Sequence, residues 1–264
     1  MPVEAMILTG FGVVAEAAVV LLLIRSRMFR TLPAFFLYLC WSLLNDIGMF
    51  VCERTLSKGT YFRVYEVYAV IDTLAMFAVL VELGWSALRP IRPSLPKYSW
   101  VAIAVLILVT GAVLWPIAGK TFPSHLSPEG QFFIQLQQIP SILRVVVFFA
   151  MAGFSHLIGI GWRNRELQVA TGLGFYSILS LAVTMFHTHQ SVGSQSYHWV
   201  DVVGSAGYVV ALSYWVYAFA TKEAERQNFS PQMANFLLLL GGTAKAGRIA
   251  LADFEVSKSR FKDH

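Results

Sequence analysis

The sequence predicts an all-α integral membrane protein, a bundle of seven transmembrane helices whose N-terminus lies outside and whose C-terminus lies in the cytoplasm. Of the 264 residues, 56% are hydrophobic and only 13% are charged, whereas soluble domains carry about 25% charged residues. Seven apolar runs of about 20 residues, the length that crosses a bilayer, follow one another along the chain. Lysine and arginine concentrate in alternate connections, as is typical of cytoplasmic loops.

The predicted spans are separated by connections rich in charge, proline or glycine. They are Ala5–Ile24, Pro33–Cys52, Phe62–Leu88, Tyr98–Ala118, Ser141–Gly161, Leu167–His187 and Tyr197–Ala220. The first span is not a cleavable signal, because Glu4 precedes its apolar core and the positive charge of Arg25 follows it. Three prolines within residues 89–97 end the third span. Pro140 is expected to break or kink the helix just before the fifth span.

The distribution of basic residues sets the predicted orientation. The first, third and fifth connections and the start of the tail hold ten lysines and arginines, while the intervening connections and the mouth of the third span hold four. Because basic residues mark the cytoplasmic side, this pattern predicts a multi-pass protein of the cell (inner) membrane with its N-terminus outside. The net charge of +5 therefore reflects topology, and no nucleic-acid partner is expected.

Residues 1–220 form the predicted transmembrane domain, and residues 221–264 form a cytoplasmic tail. Within the tail, Pro231–Leu240 is apolar but only about half as long as a span. We expect it to form a short amphipathic or interfacial helix that lies on the membrane or docks against a partner. We expect no kinase, cyclase or other effector domain within residues 221–264, because the segment is too short for one.

Four ionisable residues are predicted to share one layer near the outer face. A rise of 1.5 Å per residue from the cytoplasmic end of each helix places Asp46 at about 20 Å, Asp72 at about 24 Å and Arg144 at about 25 Å. Asp201 lies near the outer rim. A charged group at this depth must pair or face water. We therefore expect an outward-opening pocket for a ligand or ion, a structural ion pair between Arg144 and an aspartate, or separate snorkelling to the headgroups.

A second set of polar residues is predicted nearer the cytoplasm. Glu16, Glu82 and His156 lie about 8 to 12 Å above the inner ends of their helices. Such residues could relay protons or couple two sites. More commonly they join neighbouring helices through hydrogen bonds.

The remaining histidines and the cysteines point to no definite metal site. His187, His189 and His198 fall at outer helix ends or loops, where they could bind a metal but lack a recognised ligand spacing. Cys40 and Cys52 form neither a CxxC pair nor a disulfide framework. The sequence identifies no cofactor.

No motif of an enzyme class is present, so we expect a protein that is not an enzyme. The sequence lacks HExxH, GxSxG and a P-loop. The seventh span contains no lysine, which excludes a Schiff base with retinal despite the seven predicted spans.

The layout also resembles a family of bacterial sensors. Seven spans run N-out and C-in with short outer loops, and "LPAFFLYLCW" is followed by an aromatic, acidic third span that begins "YFRVYEVYAVIDTL". From Ala5 to Ala220 the chain resembles the seven-helix sensor modules that precede bacterial histidine kinases, and stand-alone bacterial membrane proteins of the same layout. The resemblance implies a membrane-embedded receptor that passes a signal inward to a separate cytoplasmic effector.

Two other functions fit the same sequence. The chain could be an accessory or assembly subunit whose tail and aromatic faces contact other membrane proteins or further copies of itself. It could also be a small-molecule or ion transporter, which would need a continuous polar path from Asp72 and Arg144 to Glu82 and His156. A cavity closed at mid-bilayer would favour the sensor, and a through-path would favour transport.

Overall fold

The computed structural model of the chain describes residues 3–88, 98–118, 128–158, 164–187 and 195–221. Within these ranges the regular structure is entirely helical, with seven α-helices and a one-turn 3₁₀ helix, Met28–Arg30. The α-helices are α1 (Val3–Arg25), α2 (Pro33–Thr55), α3 (Lys58–Ala87), α4 (Ser99–Ala118), α5 (Pro128–Ile158), α6 (Arg165–His187) and α7 (Gln195–Ala220). The predicted interfacial helix of the tail lies outside the described residues.

The predicted all-helical fold is confirmed, with one helix placed differently. In the described ranges, six helices contain an apolar stretch long enough to cross a bilayer, and α5 contains a shorter one, Gln138–Gly153. The predicted helix start at Ser141 is wrong, because α5 begins at Pro128 and continues through Pro140. Its first turns carry glutamines, so they do not appear as an apolar run. Proline is tolerated inside membrane helices where neighbouring groups satisfy the freed backbone.

Six of the seven described helices form a closed ring, and α4 lies outside it. α1 packs against α2 and α7, α3 packs against α2 and α5, and α6 packs against α5 and α7. α4 packs against α3 and α5, and Val105, Leu106, Val109 and Val113 on its outward face are each more than half exposed. Because lipid tails are as apolar as these side chains, the bilayer can cover that face. Six helices therefore enclose the interior.

Charged side chains at one end of the ring cap neighbouring helices. Both oxygens of Glu82 on α3 accept hydrogen bonds from the start of α2, from the N–H groups of Ala34 at 2.8 Å and Phe35 at 2.9 Å. At the start of α6, Arg165 donates to two carbonyls at the end of α7, at 2.5 and 2.6 Å. These contacts satisfy backbone groups that helix ends leave unpaired, and they complement the helix dipoles.

An apolar core fills the ring next to these caps. Phe35 packs edge-on against Trp215 with ring centres 5.2 Å apart. Both side chains are buried together with Leu39 and Leu212. The Trp215 indole N–H donates to the Gln168 carbonyl at 3.2 Å, which joins α7 to α6. This end of the ring is therefore closed by packed side chains.

Glycines allow the helices of the ring to approach closely. A Cβ atom at Gly172 would lie 2.2 Å from Trp215 Nε1, and one at Gly207 would lie 1.8 Å from Leu179 Cδ2. No L-residue other than glycine fits at such separations unless the partner moves. By contrast, a Cβ atom at Gly48 on α2 would meet no atom within 4 Å.

We predict that Gly172→Ala lowers the free energy of unfolding by about 1–3 kcal/mol, because the added methyl overlaps the Trp215 ring. Gly48→Ala is the matched control and should be neutral or stabilising by up to about 1 kcal/mol, since it adds only helix propensity. Reversible unfolding of both variants in mixed detergent–lipid micelles measures the difference. Equal effects of the two substitutions would contradict the packing of α6 on α7.

Candidate ligand-binding cavity

A cavity of about 550 Å³ extends from the middle of the ring toward the end opposite the helix caps. Among the described residues all six ring helices line it, and α4 does not. The polar lining comprises Thr9, Tyr38, Ser42, Asp46, Tyr68, Asp72, Arg144, Tyr176, Ser180, Asp201, Ser205 and Tyr208. Small-molecule sites commonly occupy about 300–1,000 Å³, so a ligand of modest size fits this volume.

The four residues predicted for the outer layer all line this cavity. Asp46 comes from α2, Asp72 from α3, Arg144 from α5 and Asp201 from α7. Three of them lie in the helix halves nearest the α2–α3 and α6–α7 connections, and Arg144 lies at the middle of α5. The structure therefore places side chains from four separate helices around one space. Binding of a ligand or ion there stays a prediction.

Arg144 is held against its own helix and forms no direct ion pair with these aspartates. Its Nε donates to the Pro140 carbonyl at 3.3 Å, and its Nη2 donates to the Ser141 hydroxyl at 3.0 Å. Its guanidinium carbon lies 5.8 Å from the centre of the Tyr176 ring, within the range of a cation–π contact. Its charge acts on Asp72 through space. Among the described residues, Arg144 and an aspartate therefore do not pair by direct contact, and a structural role for their attraction stays a prediction.

The cavity is acidic. Three aspartates and one arginine line it, which gives a formal charge of −3 + 1 = −2 when all four are ionised. Asp46 and Asp72 are near enough to repel each other. Asp46 accepts no hydrogen bond from any side chain or backbone group in the described part of the chain.

Aromatic rings form much of the wall. Tyr176 and Tyr208 lie with their ring centres 5.1 Å apart, and Tyr68 stacks on Trp41 at 6.1 Å. Tyr68 therefore belongs to the cavity wall. Tyr68 precedes Asp72 by one helical turn, so both side chains lie on the inward face of α3.

Glu16 lies directly behind the cavity floor. Its Oε1 accepts hydrogen bonds from the Ser42 hydroxyl at 2.7 Å and from the Tyr208 hydroxyl. The Glu16 side chain is fully buried, and its Oε2 has no hydrogen-bond partner among the described residues. Glu16 and Ser42 each lie about 14 Å from the end of their helix that is nearest the caps, and the cavity reaches that depth. Glu16 therefore joins α1 to α2 and α7 through hydrogen bonds, which is the commoner of the two predicted roles, and it does so beside the cavity lining.

The other residues predicted for the inner layer do not form a relay with Glu16. Glu82 caps α2, so both of its oxygens are used in a structural contact. The side chain of His156 lies outside the described residues, as do the side chain of His187 and all of His189. His198 is described and exposed at the start of α7. No group of three or more histidine, cysteine, aspartate or glutamate side chains in the described ranges is placed to hold a metal ion.

Four further residues line the cavity and are not among the site residues that the sequence predicts: Tyr38, Ser42, Tyr176 and Tyr208. A helical spacing test would have found several of them, because Tyr38, Ser42 and Asp46 recur every four residues along one face of α2. The contact between Tyr176 and Tyr208 joins α6 to α7 and depends on the packing of the ring. No local pattern predicts it.

Comparisons with protein-family models, curated proteins and solved structures find no match to this chain.

We predict that Glu16→Ala lowers the free energy of unfolding by about 1–3 kcal/mol for each hydroxyl that loses its acceptor in the bundle. In a double-mutant cycle, Glu16→Ala and Tyr208→Phe should show a coupling energy of about 0.5–3 kcal/mol, because both substitutions break the same hydrogen bond, from the Tyr208 hydroxyl to Glu16. Unfolding in mixed micelles gives each value.

Tyr217→Phe provides the control for this cycle, since Tyr217 lies on α7 but is 72% exposed. Its effect should add to that of Glu16→Ala. Simple additivity for Tyr208→Phe as well would show that Glu16 does not hold α1 to α7.

Proposed function

We propose that the protein is a membrane-embedded receptor-like module whose outward-facing polar cavity binds a small ligand or ion, and which signals through a separate cytoplasmic partner. The observation that supports this reading best is that the cavity ends inside the bundle. Beneath its floor, Leu39, Leu173, Ala211 and Trp215 are buried, and the space between them and the floor is only about 20 Å³. That volume holds about one water molecule. A cavity that is closed in the middle of the bundle suits the binding of a ligand better than the transport of a ligand across the membrane.

Helix α7 offers a mechanical route from the cavity to the inner end. Asp201, Ser205 and Tyr208 line the cavity from its first half. Its last turn accepts the hydrogen bonds of Arg165 on α6. A ligand that shifts α7 would therefore change the contacts at the point where the tail begins, and a partner bound to the tail could detect that change.

The proposal includes seven spans with the N-terminus outside. α5 counts as a span although its apolar stretch is the shortest, because Arg144 on that helix faces the cavity and need not face lipid. The excess of lysine and arginine in the odd-numbered connections favours a cytoplasmic tail and an extracytoplasmic cavity mouth.

An accessory or assembly subunit is the second candidate function. The observation that favours it is the outward apolar face of α4, which another membrane protein or a further copy could cover in place of lipid. Transport is the third candidate. It has less support, because Glu82 is used in a helix cap and the floor of the cavity is packed.

Side-specific labelling tests the receptor proposal. In a chain carrying Cys40→Ser and Cys52→Ser, we predict that Ser205→Cys reacts with the membrane-impermeant thiol reagent MTSET from the outer side of oriented vesicles only. Thr31→Cys, at the exposed α1–α2 connection, should react from the inner side only. Ser213→Cys is the matched control on α7, because Ser213 is exposed outside the cavity at a depth where lipid surrounds the bundle.

The outcomes separate the three candidates. Labelling at Ser205 from both sides would indicate transport and contradict the receptor proposal. Protection from both sides would indicate a closed structural layer, as in a subunit. If the receptor proposal holds, modification at Ser205 should also alter amide hydrogen exchange in the last turns of α7, and modification at Ser213 should leave it unchanged.

A further inference from the structure

We propose that the cavity selects a small organic cation of the substituted-ammonium class, held by Asp46 and the tyrosine wall. This inference rests on the proposed receptor function and names the ligand chemistry of the same site. Its support comes from the charge of the cavity, the rings that line it, and the polar group behind its floor.

The charge balance of the cavity favours a cation. Arg144 is the only basic residue among the described residues that line the cavity, and it is anchored by hydrogen bonds to Pro140 and Ser141. Its charge offsets one carboxylate, Asp72. Asp46 is left with a repulsive neighbour and no hydrogen-bond donor in the described chain. A ligand cation beside Asp46 would remove that repulsion, whereas an anion would add to it.

The aromatic lining favours an organic cation over a hydrated metal ion. Four tyrosines line the cavity, and one of them already contacts a cation, since the Arg144 guanidinium lies 5.8 Å from the Tyr176 ring centre. Tyrosine faces attract substituted ammonium groups through cation–π contacts. A metal ion needs several oxygen or nitrogen ligands close together, and no three histidine, cysteine, aspartate or glutamate side chains in the described ranges are placed to hold one. A volume of about 550 Å³ also exceeds what a single ion requires.

The floor provides an independent sign of a polar occupant. Glu16 is fully buried, and its Oε2 has no partner in the described part of the chain. Buried polar groups are normally satisfied, and exceptions recur at functional sites. Ser42 and Tyr208 separate Glu16 from the cavity and both bond to its other oxygen. A cation above them is therefore stabilised by a second carboxylate through these two hydroxyls.

Four probes of nearly equal size separate the possible ligand chemistries. Choline is the cation, 3,3-dimethyl-1-butanol its neutral carbon analogue, 3,3-dimethylbutyrate the anion and glycine betaine the zwitterion. With the full chain in nanodiscs, we expect choline at about ten times its dissociation constant to raise the unfolding temperature by several degrees. The neutral and anionic probes should cause no shift, and glycine betaine should act more weakly than choline.

Two isosteric or near-isosteric variants locate the cation. Asp46→Asn should weaken choline binding by about tenfold or more, because the carboxylate is lost while the shape is kept. Tyr68→Leu should bind choline more weakly than Tyr68→Phe, because both variants lose the hydroxyl and only the leucine variant lacks a π face. Glu66→Gln is the control on α3, since Glu66 does not line the cavity, and it should leave binding unchanged.

Several results would overturn the assignment. They are equal stabilisation by the neutral alcohol, preference for the anion or the zwitterion, undiminished choline binding in Asp46→Asn, and no shift with any probe. All of them leave the receptor proposal standing if Ser205→Cys is still labelled from the outer side. Protection of that thiol from both sides would remove both proposals.

Discussion

The cost of exposing charge to hydrocarbon determines how this bundle is built. Asp46, Asp72, Arg144 and Asp201 lie on four apolar helices, and a charged side chain turned toward lipid is strongly unfavourable. A closed ring of six helices resolves the conflict because each helix can turn its polar face inward. α4 carries no charged residue within Ser99–Ala118, and it is the helix that lies outside the ring. Polarity therefore decides which helices enclose the interior.

The two ends of the ring use charge in different ways. At the capped end, Glu82 and Arg165 bond to backbone groups, so they fix the start of α2 and the end of α7 and are not available to bind a ligand. Toward the other end, Asp46 has no such partner in the described chain, and Arg144 donates hydrogen bonds only within its own helix. Between them, Glu16 ties α1 to α2 and α7. A rigid base below a polar cavity suits a protein that senses a ligand.

The sequence predicts more of the fold than of the site. Span length predicts all seven α-helices of the described ranges, because it acts along the chain, but the glutamines after Pro128 hide the start of α5. Residue height predicts that Asp46 and Asp72 share a layer, since a helix converts sequence distance into depth. Height carries no information about direction or neighbours. Residue height alone therefore places Glu16 with Glu82, and it cannot predict that the Arg144 guanidinium folds onto its own helix.

The most direct test of this account measures which side of a helix meets water. Met49 lines the cavity from α2, and Ile47, two residues earlier, is exposed outside it. Nitroxide labels introduced singly at these positions, after Cys40→Ser and Cys52→Ser, report collisions with a water-soluble nickel chelate or with oxygen dissolved in lipid. The account predicts nickel collisions at position 49 and oxygen collisions at position 47. Matching profiles at both positions, or the reverse order, would contradict a polar interior enclosed by the ring.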